Sequence, residues 1–276
     1  MIHNTISPLY GAIIGDIIGS SYEGRTVRKR DFKLFTRFSR FTDDTILTLA
    51  TANFIVHRDR TKSLADVLRL YYAAYPNAGY GDMFAKWARS DDASPNKSNG
   101  NGAVVRVSPI AFYYHELISA ILARTNAGVT HDNAEAIETS AMFAFVVSAL
   151  NNGYTKERIT DLLLTHYLEK EIILPEAHRN ARDKLSFDCS AKNTFLQSVS
   201  AFMHSNDFEG AIRNAVYIGG DTDTVAAMAG AMAIAYYKEI PRQMYVETVK
   251  RLDRHLLEQI LAYDSLYIGP KIRVIP

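Results

Sequence analysis

The feature that most constrains the fold of this chain is the spacing of its apolar residues, which follows one face of an α-helix through most of the sequence. Leu9, Ile13 and Ile17 begin the pattern, and a later repeat starts after Ser63, a residue type favoured at helix N-caps. Further helices are predicted over Ile46–Val56, Ile110–Leu122, His131–Leu150, Ile159–Tyr167, Phe195–Met203, Phe208–Val216, Thr224–Tyr237 and Met244–Leu261. The periodicity therefore predicts a largely helical protein.

Strand-like alternation is rare, and the best example is the short segment Lys271–Ile275 near the C-terminus. No linker rich in proline, glycine or serine divides the chain, and a hydrophobic fraction of 47% is enough for a sizeable core. The least regular stretches are Glu23–Arg40 and Arg89–Gly102, and long loops of this kind often carry function. We therefore expect residues 1–276 to form a single all-α domain with functional loops between packed helices.

Charge and apolar run length argue against several classes of partner. A net charge of +1 lacks the basic excess of a nucleic-acid-binding protein, so we expect no nucleic acid partner. No apolar run reaches the roughly 18 residues of a membrane span, and Asp16 interrupts the first one, so we expect neither a membrane segment nor a signal peptide. The single cysteine, Cys189, is interpreted as an incidental thiol and is compatible with a cytoplasmic protein.

Two clusters of aspartate and threonine each precede a helix rich in small residues. The motifs FTDDT and GGDTDT supply six candidate metal ligands, which are Thr42, Asp43, Asp44, Asp221, Asp223 and Thr224. Mg²⁺ and Mn²⁺ prefer hard oxygen ligands, and carboxylates and hydroxyls supply them. Four aspartates in one place would repel one another unless cations neutralised them. The pattern therefore indicates a divalent-cation site at which two helix starts converge.

Helix capping is the competing interpretation of the same residues. Aspartate and threonine are preferred N-caps, and acidic residues in the first turn suit the helix dipole. A cap needs one such residue, or two in a capping box, whereas each cluster here has more. The spacing alone leaves both interpretations open.

Two glycine-rich segments lie before and between these clusters in the sequence. They are Gly11–Gly19 and Ser98–Gly102, and a glycine-rich turn can direct backbone N–H groups at a phosphate. An ordinary surface turn is the alternative for the second segment taken alone. Both segments are therefore candidates for a phosphate-binding loop.

At these motifs the chain resembles the ADP-ribosylglycohydrolase family. The matching stretches run from about Gly11 to Tyr237 in the order typical of the family: GAIIGDIIGSSYEG, FTDDTILTLA, GNGAVVRVSPIAF, THDNAEAIE and GGDTDTVAAMAGAMAIAYY. The combination of TDDT with a downstream GGDTDT is specific, whereas either motif alone would be weak.

The resemblance implies a compact orthogonal multi-helix bundle with a binuclear site for two Mg²⁺ or Mn²⁺ ions. The ligands that it implies are the six residues of the two acidic clusters. Glu23 matches a glutamate on a loop near the metals, and Asp16 matches a supporting aspartate. By the same resemblance, Glu23, Asp43, Asp44 and Asp223 are the candidate catalytic residues. The candidate substrate-binding residues are Gly100, Asn101, Gly102 and His131.

The function that the resemblance implies is hydrolysis of the bond between the anomeric carbon of ADP-ribose and a modified target. Arginine of an ADP-ribosylated protein is the expected acceptor. One alternative is an immunity or binding protein that neutralises an ADP-ribosyltransferase counterpart by contact. A second alternative is a two-metal phosphoesterase, which would use the same acidic residues.

Overall fold

The computed structural model describes residues 5–57, 62–92, 94–166 and 188–276. Its helices are α1 (Tyr10–Gly19), α2 (Asp43–Val56), α3 (Leu64–Ala74), α4 (Asp82–Arg89), α5 (Gly102–Val105), α6 (Ser108–Tyr113), α7 (Glu116–Gly128), α8 (Ala134–Asn151), α9 (Lys156–His166), α10 (Ala191–Met203), α11 (Phe208–Ile218), α12 (Thr222–Tyr237), α13 (Arg242–Val249) and α14 (Arg254–Leu266). The prediction of an all-α fold is confirmed.

Local sequence signals explain where several helices begin. Ser63 and Asp66 form a capping box at the start of α3, which confirms the predicted N-cap. The Asn133 side chain accepts a hydrogen bond from the Ala136 N–H, so α8 begins at Ala134 rather than at the predicted His131. His131 is thereby left outside the helix. The predicted end of one further helix, Tyr167, lies outside the described residues.

Two predicted helices are each divided in two. The segment predicted over Ile110–Leu122 is extended at Tyr114 and His115, where α6 ends and α7 begins. The segment predicted over Met244–Leu261 is divided at Asp253, whose side chain accepts from the Leu256 N–H and starts α14. The predictions were wrong here because the apolar spacing continues across each break, although the backbone leaves the helical conformation there.

The centre of the fold is a close pair of helices, α1 and α12. Every residue of α1 is buried. Gly15 allows the two backbones to touch, because a Cβ at that position would lie 2.1 Å from the Ala226 carbonyl oxygen. The glycines of Gly11–Gly19 therefore serve helix packing, and the interpretation of this segment as a phosphate-binding turn is wrong.

A small sheet lies beside the helices and joins the two ends of the described chain. Its strands are β1 (Thr5–Ile6), β2 (Glu239–Pro241) and β3 (Ile272–Ile275), in the order β1-β3-β2. Strand β3 is antiparallel to β1 and parallel to β2. Strand β3 confirms the strand predicted near the C-terminus. Within the described ranges, none of the helices has both the length and the apolar character needed to cross a bilayer.

Candidate metal centre and substrate cavity

The starts of α2 and α12 meet at the base of a cavity of about 660 Å³. All eleven residues predicted for the site line this cavity: Glu23, Thr42, Asp43, Asp44, Gly100, Asn101, Gly102, His131, Asp221, Asp223 and Thr224. The volume is within the range of about 300–1,000 Å³ that is typical of small-molecule sites. The structure therefore brings together residues that are far apart in the sequence.

The start of α2 is held by Asp16, which lies on α1. The Asp16 carboxylate accepts hydrogen bonds from the Thr42 N–H at 2.9 Å and the Thr42 hydroxyl at 2.7 Å. It also accepts from the N–H and the hydroxyl of Thr45. The Thr42 hydroxyl in turn accepts weakly from the Asp44 N–H at 3.3 Å and caps α2. Thr42 therefore caps α2, and Asp16 fixes the turn that carries Asp43 and Asp44.

Capping does not account for the aspartates at the start of α12. Asp221 occupies the N-cap position, but its side chain makes no capping hydrogen bond. It instead accepts from the Asn101 side-chain amide at 2.6 Å and weakly from the Thr224 hydroxyl at 3.4 Å. Asp223, in the first turn, accepts from the next N–H in the chain, that of Thr224, at 2.9 Å. Starting the helix therefore does not explain the positions of these two carboxylates.

The carboxylates of the two clusters crowd together with little solvent. Asp16, Asp44 and Asp223 are buried, and each has a carboxylate oxygen within 4.8 Å of the other two. A second group at the same spacing comprises Glu23, Asp221 and Asp223. Burial and the charges of Asp43, Asp16 and Asp221 raise the pKa of Asp44 well above its usual range. Burial and the charge of Asp16 raise the pKa of Asp43 to about 7.

These residues fit a divalent cation on the chemistry of the donors. The Asp44 Oδ2 atom is buried and has no hydrogen-bond partner, although an unpartnered buried carboxylate oxygen is costly. All of the nearby donors are hard oxygens, the type that Mg²⁺ and Mn²⁺ prefer. A cation would satisfy the free Asp44 oxygen and offset the mutual repulsion of the carboxylates.

Glu23 lies at the rim of the cavity, on the irregular segment after α1. Burial and the charge of Asp221 raise its pKa, and the charge of Arg40 opposes this rise. Glu23 therefore combines partial exposure to solvent with proximity to Asp221 and Asp223 at the cavity base.

Several hydrogen-bond donors of the Ser98–Gly102 loop are already bonded within the protein. The Gly100 N–H donates to the Ser98 hydroxyl, and the Asn101 N–H donates to the Cys189 carbonyl. The Asn101 side chain donates to both Asp221 and Thr194. The Gly100 and Asn101 N–H groups are therefore not free for a phosphate, and Asn101 acts on Asp221. Substrate contact by this loop stays a prediction, supported by its place in the cavity lining.

Cys189 is a residue whose place in the site the sequence did not reveal. It lines the cavity next to the Ser98–Gly102 loop, and burial together with Asp221 raises the pKa of its thiol. The thiol is therefore protonated at neutral pH. No local motif marks Cys189, because its position depends on a backbone bridge between Gly100 and Ser190.

His131 lies between α7 and α8 and is buried at the cavity wall. Its Nδ1 atom is 2.8 Å from the Thr130 hydroxyl. Burial, with the charge of Arg106 adding to it, lowers the pKa of the ring to about 3. His131 is therefore neutral at physiological pH.

Comparison with known proteins places this site in a family. The family model for ADP-ribosylglycohydrolase matches residues 5–270. ADP-ribosylarginine hydrolase Tri1 of Pseudomonas putida is 24% identical over 94% of this chain and 79% of the relative. ADP-ribosylhydrolase ARH3 of Xenopus tropicalis is 26% identical over 84% of this chain and 86% of the relative.

A solved structure of an ADP-ribosylglycohydrolase-related protein complex shares the fold, with a TM-score of 0.70, 24% identity and coverage of 95% of both chains. These relatives support a hydrolase, whereas they give no support to an ADP-ribosyltransferase counterpart. From the match over residues 5–270, the chain belongs to the ADP-ribosylglycohydrolase family.

Proposed function

We propose that this protein removes ADP-ribose from arginine side chains of modified proteins by hydrolysis at the anomeric carbon, with two Mg²⁺ or Mn²⁺ ions as cofactors. The observation that carries the proposal is the free, buried Asp44 Oδ2 atom beside the carboxylates of Asp16 and Asp223, at the base of a cavity of about 660 Å³. The arginine acceptor rests on the name of the Pseudomonas putida relative.

The residues that would hold the cations are the six of the two acidic clusters: Thr42, Asp43, Asp44, Asp221, Asp223 and Thr224. Bound cations would stabilise negative charge and lower the pKa of a water molecule at the site. Asp16 would orient these ligands without being one of them, because its hydrogen bonds with Thr42 and Thr45 fix the start of α2. Asn101 would do the same for Asp221.

Protein side chains would also supply orientation and a proton acceptor. Glycosidic cleavage has a transition state with oxocarbenium character, which nearby carboxylates stabilise. Asp43, Asp44 and Asp223 would act through that charge. Glu23 would accept a proton from the attacking water, and its raised pKa makes it a stronger base than a glutamate with an ordinary pKa. The cavity walls, including the Ser98–Gly102 loop and His131, would hold the sugar over the carboxylates at the bottom of the cavity.

The direct test is turnover of an ADP-ribosylarginine protein by the purified chain, before and after chelation and after restoring Mg²⁺ or Mn²⁺. Free ADP-ribose should be released, and chelation should abolish the release. Undiminished turnover in thorough chelation would refute the cation dependence. A panel of arginine-linked and serine-linked substrates, with products identified by mass spectrometry, tests the acceptor. Formation of AMP or phosphate would instead support the two-metal phosphoesterase.

A further inference from the structure

A chain of hydrogen bonds runs from a buried arginine to the cavity wall. Arg106, on the segment between α5 and α6, is fully buried. Its Nη2 atom donates to the Thr130 hydroxyl at 2.9 Å, and the Thr130 hydroxyl is 2.8 Å from His131 Nδ1. His131 in turn lines the cavity. These three residues therefore connect the protein interior to the substrate site.

We propose that Arg106, acting through Thr130, is a positioning residue that fixes His131 in the tautomer with its proton on Nε2. His131 would then present an N–H donor to an acceptor oxygen of the ligand and would not serve as a proton acceptor. The role assigned to the ligand oxygen rests on the proposed function, whereas the tautomer itself does not.

The direction of the hydrogen bonds follows from which groups can donate. A guanidinium has only donors, so the Thr130 oxygen must accept from Arg106. The Thr130 oxygen has a second lone pair and could accept from an Nδ1–H, but its own hydrogen would then lack an acceptor, because Thr130 is fully buried and Nδ1 is the other polar atom that its hydroxyl contacts among the described residues. The Thr130 hydroxyl therefore donates to His131 Nδ1. A ring nitrogen that accepts carries no hydrogen, and in a neutral imidazole the proton must therefore be on Nε2.

Electrostatics supports a neutral ring. Burial lowers the pKa of Arg106 to about 9, so the guanidinium stays charged at neutral pH. The ion pairs formed among the described residues include no partner for Arg106. Its uncompensated positive charge opposes protonation of His131.

Arg106 also has a structural task, which the test must separate from the proposed one. Its Nε and Nη2 atoms donate to the side chain and the backbone carbonyl of Asn126, each at 2.8 Å, near the end of α7. Its Nη1 atom is buried without a partner, which is a cost that an apolar residue of similar length would avoid. Thr130→Val leaves the contacts with Asn126 intact and removes only the hydroxyl, while Thr130→Ser keeps it.

The experiment measures the tautomer directly, by long-range ¹⁵N–¹H NMR of protein with ¹⁵N-labelled histidine rings. A His131→Gln variant identifies the His131 signals among the eight histidines of the chain. We expect wild type and Thr130→Ser to show a protonated Nε2 and an unprotonated Nδ1. Thr130→Val should show a mixture of tautomers. An Nδ1–H tautomer in the wild type, or an unchanged spectrum in Thr130→Val, would overturn the proposal.

Ligand binding gives a second readout that does not need turnover. By calorimetry with free ADP-ribose, Thr130→Val should weaken binding by roughly 5- to 10-fold, and Thr130→Ser should match the wild type. His131→Phe, which removes the donor, should weaken binding at least as much as Thr130→Val. His131→Gln, which keeps an amide donor, should weaken it less. Equal affinity for wild type and His131→Phe would refute the donor role, even if the tautomer is as proposed.

Discussion

The aspartates of the candidate metal centre are held by neutral neighbours. Thr42 and Thr45 donate to Asp16, and Asn101 donates to Asp221, but none of these groups carries a positive charge. The ion pairs formed among the described residues involve none of the site aspartates. Neutral donors orient a carboxylate without cancelling its charge, so the remaining repulsion must be balanced by cations or by protons.

Replacement of Asp44 by asparagine tests this balance. We expect Asp44→Asn to lower kcat/KM at least about 100-fold, because one oxygen ligand and one charge are lost. In chelator the melting temperature should rise relative to wild type, because asparagine avoids the free-energy cost of burying an ionisable carboxyl among other carboxylates, whether that cost is met by repulsion or by proton uptake on folding. Added Mg²⁺ should stabilise the wild type more than the variant. The measurements are steady-state kinetics and thermal unfolding with and without Mg²⁺.

The control for this experiment is Asp161→Asn on α9, where the side chain is exposed. It should keep wild-type activity and the full Mg²⁺-dependent rise in melting temperature. Equal stabilisation of Asp44→Asn and wild type by Mg²⁺ would contradict the assignment of Asp44 as a ligand.

Asn101 supplies a second test, because its amide donates to Asp221 at 2.6 Å. We expect Asn101→Ala to weaken cation affinity about 10- to 100-fold, since groups that orient a ligand contribute on this scale. The Mn²⁺ concentration needed for half-maximal activity measures the effect. Asn77→Ala, an exposed position, is the matched control and should leave that concentration unchanged. An unaltered Mn²⁺ requirement in Asn101→Ala would show that Asp221 needs no such support.

At the scale of elements, the site depends on how closely α1 approaches α12. Asp16 lies on α1 and Asp223 in the first turn of α12, so the distance between these helices sets the distance between their carboxylates. Gly19 is also part of the contact, because a Cβ there would lie 2.3 Å from the Thr222 carbonyl oxygen. The geometry of the candidate metal site therefore depends directly on how α1 packs against α12.

Gly15→Ala should disturb both properties together. The added methyl would meet the Ala226 carbonyl oxygen at 2.1 Å, so the helices must separate, at a cost of about 1–3 kcal/mol in the free energy of unfolding. Activity should fall in the same variant. Gly128→Ala is the control, because a Cβ at that helical position meets no atom within 4 Å. Chemical denaturation compares the two, and equal stability would mean that the α1–α12 contact tolerates the methyl group.

Apolar periodicity identified most of the helices, and the motifs FTDDT and GGDTDT identified the acidic clusters, because both are local signals. The breaks at Tyr114 and at Asp253 escaped it, since apolar spacing continues across them. The support of Asp221 by Asn101 and the place of Cys189 in the cavity could not be predicted either. Each depends on contacts between segments about a hundred residues apart in the sequence, as between Asn101 and Asp221, which only the packed fold brings together.

At the scale of the whole molecule, charge is unevenly distributed although the net value is only +1. Seven basic residues lie in the irregular segment that begins after Glu23, and all are exposed: Arg25, Arg28, Lys29, Arg30, Lys33, Arg37 and Arg40. Asp31 is the only acidic residue among them, so the rest of the chain is net acidic. Glu23 and Arg40, at the two ends of the segment, both line the cavity. A net basic segment therefore borders the cavity at both of its ends, which the total charge of the chain does not reveal.

The positive charge of this segment should speed the arrival of a substrate that carries a diphosphate. We expect kcat/KM for an ADP-ribosylated substrate to fall as NaCl rises from about 0.05 to 0.5 M, because the screening length shortens over this range. Replacing Arg28, Lys29 and Lys33 together by glutamine should lower kcat/KM at low salt and flatten the salt dependence, with kcat little changed. Arg158→Gln is the control. Arg158 lies on α9 near Lys156, which contacts Tyr237 at the end of α12 opposite the site. If kcat/KM fell as much per removed charge in Arg158→Gln as in the triple variant, the net charge of the protein, and not the position of the basic segment beside the cavity, would govern the rate.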